Sequence, residues 1–364
     1  MDRFLSAPSK LFLTGEYAVL WGGSARVAAV SPRGEAYVRR RTDREIHLAL
    51  EAGRLQGYCT PLGINWSQGV PEAFSFAAKA VHEVVRLHGR EALGFGLALS
   101  APTLPAGGKP GLGGSARTAV LAAESARYVL EQRLDTLKLA LLAHAQAQGG
   151  RGSGADVAAI FAGGLIRYRR YPVESLLEAS NSGETFGGLE NSPPVDLWRL
   201  PAANLCLAYA FSGAGASTPR LIRDVESRIA PANREQFVIK SDQLGDLAER
   251  AIIGEDFRML REALEGLQEH LKTLGPLETE PIARILAIAR SYGCAGKMSG
   301  AGSGDGCILC APDPELRSSM LEGLRSRGFW AIPISLEAGL RGELDGDPQL
   351  RGWLDLFPSP SGSS

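Results

Sequence analysis

The stretch GFGLALSAPTLPAGGKPGLGGSARTAVLAAESARYVLEQR, residues 94–133, contains the pattern that decides the fold. Residues 94–101 predict a strand, a loop rich in glycine and proline follows, and residues 115–133 carry apolar side chains at helical spacing. This order brings backbone N–H groups to a helix N-terminus, where the helix dipole stabilises an anion. The sequence therefore predicts a phosphate-binding turn, and a plain strand-to-helix turn is the alternative.

Two side chains of this turn support the phosphate interpretation. Lys109 favours it because a flexible ammonium beside a glycine loop is a common partner of phosphate. Ser115 stands at the start of the helix, where its hydroxyl can cap the helix or help to coordinate Mg²⁺.

Two more glycine clusters lie further along the chain. In GGRGSGADVAA, residues 149–159, Asp156 lies beside a helix start that favours a carboxylate, and Arg151 and Ser153 suit a phosphate or carboxylate ligand. In SGAGSGDG, residues 299–306, four glycines precede a predicted strand. A helix-capping aspartate and a hairpin turn are the alternatives, but three such clusters are hard to explain by turns alone.

The composition narrows the class of protein. The chain has 364 residues, 45% of them hydrophobic, and a formal net charge of -1, which suits a soluble two-domain protein without a bulk field for nucleic acid or an anionic membrane. Its 44 glycines are the count that departs from the average. The chain lacks an ordinary P-loop, a GxSxG elbow and a histidine metal cluster.

Cysteine usage and hydropathy predict the compartment. The five cysteines are an odd number, which argues against a disulfide framework and for a reducing environment. No uninterrupted apolar stretch approaches the ~18 residues of a spanning helix, and the N-terminus has no long apolar signal region. We therefore expect a cytoplasmic protein.

The element pattern predicts two α+β domains. Helical patterns cover residues 71–89, 233–251 and 256–273, and strands alternate with helices on both sides of a segment rich in Ser, Gly, Asn and Pro at 178–196. We place the domain boundary in that segment, with domains at 1–190 and 191–355 and a disordered tail at 356–364. The second domain is expected to carry its helices on one face of a sheet.

Three motifs carry a family resemblance. APSKLFLTGEYAVL at residues 7–20 resembles the first motif of the GHMP kinases, KPGLGGSA at 109–116 resembles their second, ATP-phosphate motif, and KMSGAGSGDG at 297–306 resembles their third. All three occur in the order of that superfamily. The resemblance implies an N-terminal nucleotide-binding domain of the ribosomal protein S5 domain 2-like type, a ferredoxin-like C-terminal α/β sandwich domain, and an active site between them.

Within the superfamily the chain most resembles the phosphomevalonate kinases. The pointers are Tyr17 in GEYAVL, the segment AQGGRGSGADVAAIFAGGLIRYRRY at 147–171 and FSGAGAST at 211–218. The resemblance implies transfer of the γ-phosphoryl of ATP to 5-phosphomevalonate, with Mg²⁺ accompanying ATP, by a monomer or homodimer. Mevalonate kinase, another GHMP small-molecule kinase and a non-catalytic ligand sensor of the same fold are the alternatives.

The resemblance also implies the site residues. Lys10 would neutralise charge between the two phosphates, Asp156 would orient Lys10 or the acceptor, and Ser115 would bind Mg²⁺. The ATP-binding residues would be Lys109, Gly111, Leu112, Gly113, Gly114, Ser115, Ala116, Gly300, Gly302 and Gly304. The substrate-binding residues would be Lys10, Glu16, Tyr17, Arg151, Ser153, Gly154, Ser217 and Ala301.

Two positions depart from the motifs of the superfamily. Gly114 stands where the second motif usually has a serine, which removes one hydroxyl but keeps a backbone N–H for phosphate. The glutamate that mevalonate kinases use for Mg²⁺ falls near Ala145, and this weakens the mevalonate kinase interpretation.

Overall fold

The computed structural model describes residues 2–88, 92–102, 111–150, 152–202, 204–215 and 217–357. The first half contains β1 (Arg3–Thr14), β2 (Ser24–Arg40), β3 (Glu45–Leu50), β4 (Gly53–Thr60), β5 (Gly63–Trp66), α1 (Ser75–His88), β6 (Phe95–Ser100), α2 (Gly114–Val129), α3 (Thr136–Ala147), α4 (Ala155–Ala162) and β7 (Leu165–Arg169). The second half contains α5 (Glu174–Ser182), α6 (Thr185–Asn191), β8 (Leu197–Leu200), β9 (Cys206–Phe211), α7 (Thr218–Arg228), α8 (Pro231–Ile253), α9 (Phe257–Lys272), α10 (Glu280–Ser291), β10 (Ala295–Ser299), β11 (Gly306–Ala311), α11 (Pro314–Arg325), β12 (Ala331–Ile334), β13 (Arg341–Glu343) and α12 (Gln349–Asp355).

The larger sheet is organised around β2. Its strands run in the order β13-β1-β2-β6-β3-β4-β5. Strand β7 pairs with the part of β2 that β6 leaves uncovered, and β8 pairs with β7. The helices α1 to α4 bury their apolar residues against one face of this sheet in one continuous core. The helical pattern at 71–89 is confirmed as α1, which buries Ala77, Val81 and Val84 at the spacing of one helix face.

The smaller sheet is four-stranded and antiparallel, in the order β10-β11-β9-β12. Every residue of β11 is buried, because the strand has apolar contacts on both faces. One face packs on α7, α10 and α11, whereas Tyr209 and Ile308 on the other face join α8, α9 and Leu11 of β1. The prediction of helices on one face is therefore wrong, and the second face joins the two sheets.

Two strands of the C-terminal half pair with the larger sheet, and this differs from the predicted domain division at 190/191. Strand β8 pairs with β7 through Leu165 and Leu200, and β13 pairs with β1 through Phe4 and Glu343. Both strands were expected in the C-terminal domain. Their backbone groups are satisfied by ladders of the larger sheet, and local patterns do not specify such distant partners.

The segment at 178–196 also differs from its prediction as an irregular connection. It contains the end of α5 and all of α6, and these helices pack on each other. Residues 358–364 of the predicted disordered tail lie outside the described residues. No helix in the described part of the chain is both long and apolar enough to cross a membrane.

Candidate active site

Lys10 lies where β1 meets the glycine turn before α2. Its backbone N–H donates to the Leu112 carbonyl at 3.1 Å, and its Nζ donates to the Gly111 carbonyl at 3.0 Å. The side chain is 8% exposed. Within the described residues Lys10 forms no ion pair with a carboxylate within 4.0 Å. A largely buried ammonium without a carboxylate is available to neutralise an anionic ligand.

The glycine turn before α2 fits tightly around this lysine. Gly113 has φ +83°, and a Cβ at this position would lie 2.7 Å from Lys10 Cγ. Helix α2 then begins at Gly114, so that Ser115 and Ala116 lie in its first turn, where backbone N–H groups lack partners within the helix. The structure thus combines a helix N-terminus with the buried ammonium of Lys10, an arrangement that suits a phosphate ligand.

The third glycine cluster contacts the glycine turn before α2. A Cβ on Gly111 would lie 2.5 Å from Asp305 Cγ, so only glycine permits this approach between the two loops. The loop that contains Gly300, Gly302 and Gly304 therefore stands beside the turn that binds Lys10. These three predicted ATP-binding positions come from the smaller sheet, between β10 and β11.

Asp156 lies in the first turn of α4. Its Oδ1 accepts from the Val157 N–H at 3.0 Å, and its Oδ2 lies 3.8 Å from His144 Nε2. Gly154 precedes the helix with φ +74°, and a Cβ there would lie 2.4 Å from Leu141 Cδ2. The Ser153 carbonyl accepts from the Tyr168 hydroxyl at 2.9 Å, which fixes this turn against β7.

His144 is a site residue that the sequence interpretation missed. Its Nε2 lies 3.4 Å from Ser115 Oγ, 3.3 Å from Gln148 Nε2 and 3.8 Å from Asp156 Oδ2, so it connects the first turns of α2 and α4. Burial lowers the pKa of this imidazole, which the Asp156 charge opposes and the Lys10 charge assists. The ring is therefore neutral at pH 7. Its position in α3 just before the second glycine cluster was the available signal.

Two of the predicted substrate-binding residues, Tyr17 and Ala301, contact each other. The Tyr17 hydroxyl donates to the Ala301 carbonyl at 2.7 Å, and burial is the main reason that the pKa of this phenol is raised. Glu16 forms a buried ion pair with Lys297 of β10. These contacts hold the third glycine cluster to the end of β1, which is a structural role that the sequence did not suggest.

Three further predicted residues complete the comparison with the sequence. Ser217 precedes α7, is exposed and makes no side-chain capping bond. Lys109 and Arg151 lie outside the described residues.

The donor set fits a magnesium ion that is held largely by a nucleotide. Among the described residues no group of three or more His, Cys, Asp and Glu side chains is placed to hold a metal. Mg²⁺ in phosphoryl-transfer sites is usually bound by one or two protein oxygens together with substrate phosphates. The Ser115 hydroxyl and the Asp156 carboxylate, both near His144 Nε2, supply two such oxygens.

Comparison with known proteins agrees with this geometry. Residues 248–328 match the family model for the GHMP kinase C-terminal domain. This match and the likeness to solved GHMP kinase structures confirm the expected two-domain α+β GHMP kinase fold.

The similar proteins include phosphomevalonate kinases and mevalonate kinases. A phosphomevalonate kinase of Streptomyces sp. strain CL190 is 28% identical, with 92% of this chain and 97% of that protein covered. A mevalonate kinase of Pyrococcus abyssi is 26% identical, with coverage of 83% and 86%. The Streptococcus pneumoniae phosphomevalonate kinase in complex with phosphomevalonate and AMPPNP is a structural neighbour with a TM-score of 0.78, 17% identity and coverage of 92% and 99%.

Proposed function

We propose that the protein is a phosphomevalonate kinase that transfers the γ-phosphoryl group of ATP to the phosphate of 5-phosphomevalonate. The products would be 5-diphosphomevalonate and ADP. The observation that carries this proposal is the buried Lys10 ammonium, which faces the glycine turn of α2 without a carboxylate partner among the described residues. Relatives that are named phosphomevalonate kinases support the choice of acceptor.

The chemistry of the acceptor fits the side chains of the site. A phosphate nucleophile is ionised near neutral pH, so its attack needs positioning and charge neutralisation more than a strong base. Lys10 would bind oxygens of both phosphates and offset the negative charge of the transition state. Asp156 would orient the acceptor side of the site, and the neutral His144 would keep Asp156 and Ser115 in place.

The nucleotide would contact loops that belong to both sheets. The backbone N–H groups of residues 113–116 would donate to its phosphates, and the loop with Gly300 and Gly302 would close on them from the smaller sheet. Ser115 and Asp156 would hold Mg²⁺, which would supply positive charge to the phosphate oxygens. We place the reaction in the cytoplasm because all five cysteines are free.

Mevalonate kinase is the second candidate, since several relatives have that name. A direct assay separates the two activities. ADP release is measured with 5-phosphomevalonate and with mevalonate at matched concentrations, and the ratio of kcat/KM values is compared. We expect preference for 5-phosphomevalonate. A preference for mevalonate would overturn the proposed acceptor, and no ADP release with either would favour a ligand sensor.

A further inference from the structure

Arg117, in the second turn of α2, is a buried cation that the proposed mechanism does not use. Arg117 is 5% exposed, and its Nη1 donates to Ser9 Oγ at 3.0 Å. Ser9 gives its own proton to the Pro32 carbonyl at 2.7 Å, so its oxygen is free to accept from the guanidinium. In the part of the chain that the structure describes, Arg117 forms no ion pair with a carboxylate within 4.0 Å.

The fold makes room for this guanidinium. A Cβ on Gly34 of β2 would lie 2.6 Å from Arg117 Nε, so the glycine leaves the space that the side chain fills. Burial lowers the pKa of Arg117 to about 10, and no neighbouring carboxylate opposes the effect. Arginine remains charged at this pKa, and a buried charge without a counter-ion is costly for the free protein.

The side chain extends toward the proposed phosphate site. Side chains of a helix tilt toward its N-terminus, and Arg117 Nη2 lies 4.0 Å from the position of a Cβ on Gly114, the first residue of α2. Ser9, which holds the other end of the guanidinium, precedes Lys10 in β1. Arg117 thus approaches the same helix N-terminus as Lys10, from another direction.

We infer that Arg117 binds a phosphate group of the nucleotide at the N-terminus of α2 and is retained as a buried, uncompensated cation for that purpose. This inference rests on the proposed function, because it takes a nucleoside triphosphate as the ligand. Arg26 shows the contrasting arrangement. It is also buried, but its Nε donates to Glu249 at 3.0 Å and its Nη2 pairs with Asp246.

The test compares Arg117→Met with Arg26→Met, since methionine keeps apolar bulk and removes the charge. A non-hydrolysable ATP analogue with Mg²⁺ is titrated into each protein by calorimetry. Loss of a charge-assisted hydrogen bond predicts a Kd at least about 10-fold higher for Arg117→Met, with no fall in the melting temperature of the free protein. Arg26→Met should show a lower melting temperature and, where folded, an unchanged Kd.

Several outcomes would overturn the inference. One is an Arg117→Met protein with a Kd within about 3-fold of wild type. A 3-fold change corresponds to about half of the 1.4 kcal/mol that a tenfold change in Kd represents. Another is a higher KM for the acceptor alone, which would assign Arg117 to the acceptor phosphate. If Arg117→Met does not fold, Arg117→Gln, which also removes the charge, is titrated, and an unchanged Kd would likewise overturn the inference. No binding by the wild-type protein would instead defeat the proposed function itself.

Discussion

Two pairs of buried cations in this molecule differ in what compensates them. Arg26 and Lys297 have carboxylate partners, in Asp246, Glu249 and Glu16, and both pairs join parts of the larger sheet to elements of the C-terminal half. Lys10 and Arg117 have no ion pair within 4.0 Å among the described residues, and both lie at the glycine turn before α2. The paired cations hold the architecture together, whereas the unpaired ones leave positive charge for a ligand.

The first test of this contrast removes a paired cation. Lys297→Met leaves Glu16 as an uncompensated buried carboxylate, so we expect the free energy of unfolding to fall by about 3–5 kcal/mol. Urea denaturation measures it. The matched control is Lys272→Met, which removes an exposed lysine paired with Glu269 and should lower stability far less. Equal losses in the two variants would show that the buried pair has no special weight.

Removing an unpaired cation should lower activity and leave the free energy of unfolding nearly unchanged. We expect Lys10→Met to lower kcat by about 10²–10³-fold, because the charge that stabilises the transition state is lost. Its free energy of unfolding should stay within about 1 kcal/mol of wild type, since no buried carboxylate is left behind. Steady-state ADP release and urea denaturation provide the two values.

A second buried lysine serves as the control for Lys10. Lys138 Nζ donates to the carbonyls of Leu189 and Ser192, at 3.3 and 3.0 Å, away from the glycine turn. Lys138→Met should therefore leave kcat of the folded protein unchanged. Near-normal turnover in Lys10→Met would refute the site assignment.

The pH dependence of stability tests the residue between the two helix N-termini. Burial holds the pKa of folded His144 below its ordinary value of 6.5, so its contribution to stability is fully present above pH 6.5 and is lost as the pH falls through the lowered pKa. The loss can reach about 1.4 kcal/mol per pH unit. His144→Gln should flatten the decline of unfolding free energy below pH 6.5, although His47, His82 and His270 keep part of it. An unchanged slope would contradict a neutral buried His144.

The smallest effect is expected at Gly114, and its neighbour provides the contrast. Gly114 is exposed, and the nearest atom to a Cβ there is Arg117 Nη2 at 4.0 Å, so Gly114→Ala should change stability by no more than about 0.5 kcal/mol. Gly113→Ala adds a Cβ at positive φ against Lys10 and should cost about 1–3 kcal/mol. Thermal unfolding of both variants measures the difference. Equal stability would show that the turn is not packed on Lys10.

The sequence predicted the parts of the site that local patterns encode. The glycine clusters, Ser115 and Asp156 were singled out because each lies in a short motif with a helix start or a strand beside it, and Lys10 was named through the family resemblance. The structure places Lys10 and the turn at 111–116 in contact, as expected.

The missed features depend on contacts between distant residues. Lys297 was part of a predicted loop, yet it ends buried against Glu16, which is 281 positions away in the chain. His144 and Arg117 each lie in a helix whose pattern also fits an ordinary core or surface face. The three residues of β13 are too few to give a strand signal, and only the ladder with β1 defines them. Tertiary contact, which single-sequence periodicity does not contain, decided all of these.

The return of β13 and α12 to the larger sheet has a consequence for synthesis on the ribosome. Strand β1 is synthesised long before its β13 neighbour, and Leu350 and Leu354, which cover the apolar residues Phe4 and Tyr37, are made later still. Until that moment the nascent sheet has an open strand edge and an uncovered apolar patch, which are the features that recruit chaperones and promote aggregation. Completion of the first sheet therefore waits for the C-terminal half and has a high contact order, rather than following the stepwise folding of an N-terminal half.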